Sequence, residues 1–182
     1  MSKGGCRFVI LGEDERHLRF AEKFLIQRGL AHRREIFLQP VPAGRGAGEQ
    51  HVRKRFPNEL KAIRSQSQFQ RKFLLVLIDG DGRSASQRHQ QLELACKTTG
   101  VTPFGSNDPA CVFIPCRNLE TWVMFLLGNA VDEQTDYKQQ VSEADRRRAA
   151  ISLADRCREN EIGDAAPVSL RTACADFNRL KI

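Results

Sequence analysis

The segment Phe73-Leu74-Leu75-Val76-Leu77-Ile78 is apolar at every position and stops abruptly at Asp79-Gly80-Asp81-Gly82. A strand with one wet face alternates apolar and polar side chains. An unbroken apolar run instead predicts a strand covered on both faces, as in the centre of a parallel sheet. This one segment therefore asks for partner strands beside it and a layer of helices above and below.

The rest of the chain supplies them. Arg7 to Leu11 is a short apolar run closed by Gly12. Helical spacing follows from Glu13 to Arg28, with Leu18, Ala21 and Leu25 on one face, Phe20 and Phe24 beside it, and Gly29 as the stop. Glu35 to Leu38 reads as a weaker second strand, and residues 40–48, rich in Pro and Gly, as a flexible connection. Helices are expected from about Glu49 to Arg64 and from Ser84 to Thr98, the latter with Leu92, Leu94 and Ala95 turned inward. Ala110 to Pro115 is the fourth strand, and Leu119 to Leu127 a short helix. Ser142 to Glu159 and Ser169 to Leu180 read as two further helices, joined by a loop holding Gly163 and Pro167. This alternation predicts a Rossmann-like α/β fold: a mainly parallel sheet of about four strands, helices on both faces, and added C-terminal helices. A chain of 182 residues, 41% of them hydrophobic, fits a single domain over 1–182, with a core at 6–128 and a helical extension at 129–182.

In open α/β sheets, ligands bind beyond the carboxyl ends of the strands. Acidic residues gather at those ends here. The first strand runs into Gly12-Glu13-Asp14-Glu15, the third into Asp79-Gly80-Asp81-Gly82, and the fourth is followed by Arg117-Asn118-Leu119-Glu120. If the chain stays extended past Ile78, alternation sends Asp79 and Asp81 to the same side. Crowded carboxylates repel, a divalent cation relieves them, and oxygen-only ligation suits Mg²⁺ or Mn²⁺ rather than zinc. The plainer reading is an Asp-Gly turn on the surface.

Val9-Ile10-Leu11-Gly12-Glu13-Asp14-Glu15 and Leu77-Ile78-Asp79-Gly80-Asp81 resemble the two Toprim motifs, a strand ending in Gly-Glu and a later Asp-x-Asp. Pro115-Cys116-Arg117-Asn118-Leu119-Glu120-Thr121-Trp122 resembles a feature of small stand-alone Toprim-like proteins, which are often encoded beside an ATPase and linked to phage defence. The resemblance covers about residues 6 to 128. It implies a Toprim-like fold and a metal-dependent nuclease of the OLD or RNase M5 kind. It further implies that Glu13 is the acid/base or metal-bridging carboxylate, that Asp79 and Asp81 are metal ligands, and that Glu120 serves a second of two ions. An ATPase partner is implied as well. Glu120 otherwise reads as a helix N-terminal carboxylate favoured by the helix dipole.

The formal charge of +7 raises the expectation of a polyanionic partner, here nucleic acid, DNA or RNA. Eight Lys/Arg against two Glu lie between Arg45 and Lys72. Arg45 and the glycines around it, the cluster Arg53-Lys54-Arg55, and Arg117 are the candidate phosphate contacts. The alternative for that segment is a solvated helix face. Arg146-Arg147-Arg148 reads as an ordinary exposed helix face.

Two other functions compete. A haloacid-dehalogenase-like phosphatase also uses Asp-x-Asp, but on its first strand and followed by Thr or Val. A non-catalytic binding subunit of an ATPase complex is the other. Six cysteines, at 6, 96, 111, 116, 157 and 174, include no C-x-x-C pair and are expected to be reduced and buried rather than bridged. No apolar run reaches membrane-spanning length and the start lacks a signal-peptide pattern, so no membrane partner and a cytoplasmic location are expected.

Overall fold

The computed structural model describes residues 6–44 and 46–182. Four parallel strands form one sheet: β1 (Arg7–Gly12), β2 (Ile36–Leu38), β3 (Lys72–Leu77) and β4 (Ala110–Phe113), in the order β2-β1-β3-β4. The helices are α1 (Glu15–Gln27), α2 (Gly48–Ser67), α3 (Ala85–Thr98), α4 (Leu119–Leu126), α5 (Glu143–Glu159) and α6 (Val168–Asn178). The protein is a Rossmann-like α/β domain with β1 and β3 at its centre, as the apolar run at Phe73 required. No helix among the described residues is long and apolar enough to cross a membrane.

Strand alternation divides the core in two. Phe8 and Ile10 of β1, Leu75 and Leu77 of β3, and Cys111 and Phe113 of β4 point to one face, against α1, α4, α5 and α6. Val9 and Leu11, Leu74 and Val76, and Ala110 and Val112 point to the other, against α2 and α3. The first layer is the richer in aromatic rings. Phe177 of α6 packs on Phe8 and edge-on to Phe24, with centroids 5.9 and 4.7 Å away. Trp122 of α4 is fully buried and donates its indole N–H to Ser169 Oγ at 2.8 Å, so its polar edge is not stranded in the core.

The two sheet edges are treated differently. At β4 the backbone is closed by α6: Val112 N–H donates to Asp176 Oδ2 at 2.8 Å, and the Arg179 guanidinium reaches the Ala110 carbonyl. At β2 the side chains of Phe37 and Leu38 are exposed.

Three expectations change. In α3, Leu92 is buried but Leu94 is 64% exposed. The inward face is built by Arg88, Leu92 and Cys96, which follow one another at four-residue spacing. In α5, Arg146 is buried while Arg147 and Arg148 stay exposed, because Arg146 shares the inward stripe of Ala150, Leu153 and Cys157. Cys157 and Cys174 are joined as a disulfide between α5 and α6, their Cα atoms 5.5 Å apart, rather than kept as free thiols. Two helices packed face to face bring together residues that sequence spacing leaves unrelated.

Candidate active site

β1 and β3 are neighbours in register, Gly12 beside Leu77, so the residues that follow leave the sheet at the same edge. Glu13 reaches across, and its Oε1 accepts the backbone N–H of Asp79 at 2.7 Å. Asp79 is buried. Its Oδ1 accepts the backbone N–H of Leu119 at 2.9 Å and lies 3.1 Å from His17 Nε2. Leu119 opens α4, whose N-cap Asn118 makes no side-chain cap. Asp79 thus supplies the missing acceptor from another element, where the helix dipole favours a carboxylate.

His17 links the two ends of this arrangement. It is buried on α1, with Nδ1 2.8 Å from Asp14 Oδ1 and Nε2 on Asp79. Asp14 is also the N-cap of α1 and accepts the His17 backbone N–H at 3.0 Å. Burial alone would lower the His17 pKa. The charge of Asp79 and the hydrogen bonds and charge of Asp14 outweigh it and hold the imidazole well above its ordinary value, as imidazolium. Glu13 is shifted upward too, which for a carboxylate favours the neutral form. Burial first, then the charge of Asp79, push its pKa up to about 7, against the opposing pull of His17 and of the Asp79 N–H. A carboxylate raised to near neutrality is suited to acid–base chemistry at ordinary pH.

Gly48 keeps α2 close to this centre. A Cβ at that position would stand 2.5 Å from the Glu13 carbonyl oxygen and 2.9 Å from Glu13 Cβ. Only glycine lets the first turn of α2 press on Glu13.

Asp81 does not continue an extended segment. It adopts φ +51°, and Gly82 follows at φ +83°. The turn is tied to the β4–α4 connection: Gly80 N–H donates to Pro115 O at 2.7 Å, Gly82 N–H to Cys116 O at 3.0 Å, and Asp81 N–H to Arg117 O at 3.1 Å. The alternation expected to align Asp79 with Asp81 is broken by that turn, and Asp81 is exposed where Asp79 is buried. Its carboxylate lies 3.5 Å from the guanidinium of Arg88. Arg88 is fully buried. It binds Glu49 of α2, Gln91 at 2.7 Å and the Gly80 carbonyl at 3.3 Å.

Glu120 is buried on α4, its Oε1 2.8 Å from Arg146 Nη2. Arg117 is half-buried beside the Gly82 turn. Arg53 donates to Glu49 at 3.1 Å, Arg55 to Gln39 at 2.9 Å and Glu59 at 3.1 Å, and Lys54 is exposed. Arg45 lies outside the described residues. No group of three or more His, Cys, Asp or Glu among the described residues is arranged as a metal site. Glu13 Oε2 and Asp79 Oδ2 accept no hydrogen bond from another described residue.

Three participants escape the sequence: His17 and Arg88 are not among its candidates, and Arg146 reads there as exposed although it is buried. Each carried a signal. His17 is three residues past a capping Asp, where a side chain folds back on the cap. Arg88 and Arg146 each sit in an apolar stripe, and an arginine there must find a carboxylate. No protein-family model matches this chain, and neither a curated protein nor a solved structure matches it.

Proposed function

We propose that the protein is a Mg²⁺- or Mn²⁺-dependent phosphodiester hydrolase acting on nucleic acid, with Glu13 and Asp79 at its centre. The observation that carries this reading is the convergence of Glu13 on Asp79 at the carboxyl ends of adjacent central strands, with the Glu13 pKa raised to about 7. It is also what the Toprim-like motifs imply for these residues.

The residues fit one hard divalent cation. Glu13 and Asp79 crowd each other and each keeps an oxygen unengaged by other described residues. Mg²⁺ is content with one or two carboxylates, water and substrate phosphate. They fit a second ion less well, because Asp81 and Glu120 already face Arg88 and Arg146. The ion would supply Lewis-acid polarisation of a phosphate oxygen and neutralise charge there. Glu13, ionising near neutrality, takes a proton at its carboxylate from an attacking water. His17 fixes the rotamer of Asp79. Arg117, beside the Gly82 turn, and Arg53, Lys54 and Arg55 on α2 hold phosphates.

The test is cleavage of a plasmid and of a structured RNA with Mn²⁺, by the protein alone and with the product of the neighbouring gene. Glu13→Gln and Asp79→Asn should each lower cleavage by orders of magnitude while nucleic-acid binding persists. Equal cleavage by wild type and Glu13→Gln would remove Glu13 from the centre. A wild type silent under every condition would favour a non-catalytic binding subunit instead.

A further inference from the structure

A track of basic, amide and apolar side chains runs along the α2–α3 side of the molecule and ends at the turn bearing Asp81. Across the groove between the two helices, Arg53, Lys54 and Pro57 of α2 face Gln91, Leu94 and Ala95 of α3. The groove encloses about 430 Å³. Leu94, the side chain that helical patterning would have buried, stands 64% exposed at its rim. A second hollow of about 300 Å³ shares Gln91 and Leu94 and extends the track to Gln87 and Arg83, two residues past Asp81.

The lining is selective in its chemistry. The chain carries 22 Asp and Glu, yet among the described residues no carboxylate lines either hollow. Lys54 has no ion-pair partner among the described residues, and Arg53 shares Glu49 with the buried Arg88. Lys54 in the groove and Arg83 at its far end suit an anionic occupant. The glutamine amides can donate to a phosphate or accept from a base edge. The apolar surface of Pro57, Leu94 and Ala95 favours an occupant that also offers flat or greasy surface. A duplex hides its bases and presents phosphates alone; a single strand presents both.

Resting on the nucleic-acid reading above, we infer that this track is the binding site for a single strand of nucleic acid, its phosphates on Arg53, Lys54 and Arg83 and its bases against Leu94 and Pro57. With 14 residues, α3 offers a path about 21 Å long. The strand is thereby led to the turn that joins β3 to α3, beside Asp79.

The experiment measures fluorescence anisotropy of a short oligothymidylate on the full chain, with an unlabelled duplex as competitor. Leu94 is exposed, so Leu94→Glu should fold normally and weaken binding by about tenfold or more. Lys97→Glu, on α3 but outside the track, makes a larger change of charge and should weaken binding only slightly. Equal losses in the two variants would mean diffuse attraction to a basic surface and overturn the site. Full affinity in Leu94→Glu would also overturn it, leaving the groove to an acidic amphipathic helix of a protein partner. A duplex that competes as well as unlabelled single strand would overturn the single-strand assignment. Hydrolysis of a small activated phosphodiester with Mn²⁺, too short to use the track, separates the two claims. Its absence in wild type would sink the catalytic reading and leave the binding result to judge the track. Its persistence in Leu94→Glu beside lost oligonucleotide binding would support both.

Discussion

Replacing Glu13 by Gln should make the folded protein more stable, and the gain should depend on pH. In the unfolded chain Glu13 ionises near 4.5; in the fold it does so near 7, chiefly through burial and the charge of Asp79. Below the lower value both states are protonated and no penalty exists. Between the two, folding takes up a proton, and stability falls as pH rises. Above the upper value the whole penalty is present. A displacement of that size corresponds to about 3 kcal/mol at about pH 8, and to less than about 1 kcal/mol at about pH 5. Gln keeps the oxygen that accepts the Asp79 N–H, so the variant sheds the charge and retains the hydrogen bond. For a chain of this length the gain at about pH 8 amounts to a rise in Tm of roughly 6–12 °C. The assay is urea and thermal unfolding of both proteins in EDTA at the two pH values. A Glu13→Gln protein that is no more stable than wild type at the higher pH would refute the account of Glu13 as a strained, buried carboxylate. An equal gain at both pH values would show that the effect is not one of charge.

Four further outcomes follow from the geometry. Mn²⁺ at about a hundredfold over its Kd should stabilise the wild type by about 2.7 kcal/mol; Asp79→Asn should abolish the rise in Tm and Glu120→Gln should leave it intact, and a rise surviving Asp79→Asn would remove Asp79 from the ligand set. Arg146→Met strands Glu120 in the α4–α5 interface and should lower stability by about 3–5 kcal/mol, read by urea unfolding; a loss below about 1 kcal/mol would deny that the pair is structural. Gly48→Ala drives a methyl into the Glu13 backbone and should lower stability by about 1–3 kcal/mol, with cleavage falling too; an unaffected protein would mean α2 yields freely. Replacing Arg53, Lys54 and Arg55 by Ala should flatten the dependence of nucleic-acid affinity on salt by up to about three phosphate contacts, and an unchanged slope would mark the cluster as solvated surface.

The sheet was legible because its signals are local. An all-apolar segment can only be central, and Ser84, Ser142 and Gly29 mark helix ends by their own hydrogen bonds and φ values. The pairing of Glu13 with Asp79 was legible for a related reason, since adjacent parallel strands deliver their next residues to one edge. What was not legible depends on contacts between distant segments. Asp81 turns away from Asp79 because its turn is pinned to carbonyls of residues 115–117, which no pattern around Asp81 announces. Leu94 is turned outward and Arg88 inward because α3 is rotated so that Arg88 meets Glu49 of α2 and the Gly80 carbonyl. A period of 3.6 tells which residues share a face, but with Arg, Leu, Leu and Ala in contention it does not say which face wins.

The closure of β4 by α6 has a consequence for synthesis on the ribosome. The four strands and their register are complete once Phe113 has emerged, yet Asp176, Phe177 and Arg179 come more than sixty residues later. Throughout that interval the nascent sheet has a hydrogen-bonding edge with nothing on it, and an unfilled gap among Phe8, Phe24 and Phe113 where the ring of Phe177 belongs. An uncovered parallel edge beside an aromatic gap is what chaperones and stray strands recognise. Translation pauses that lengthen the interval should therefore lower the yield of native protein, and shielding of the nascent chain should restore it.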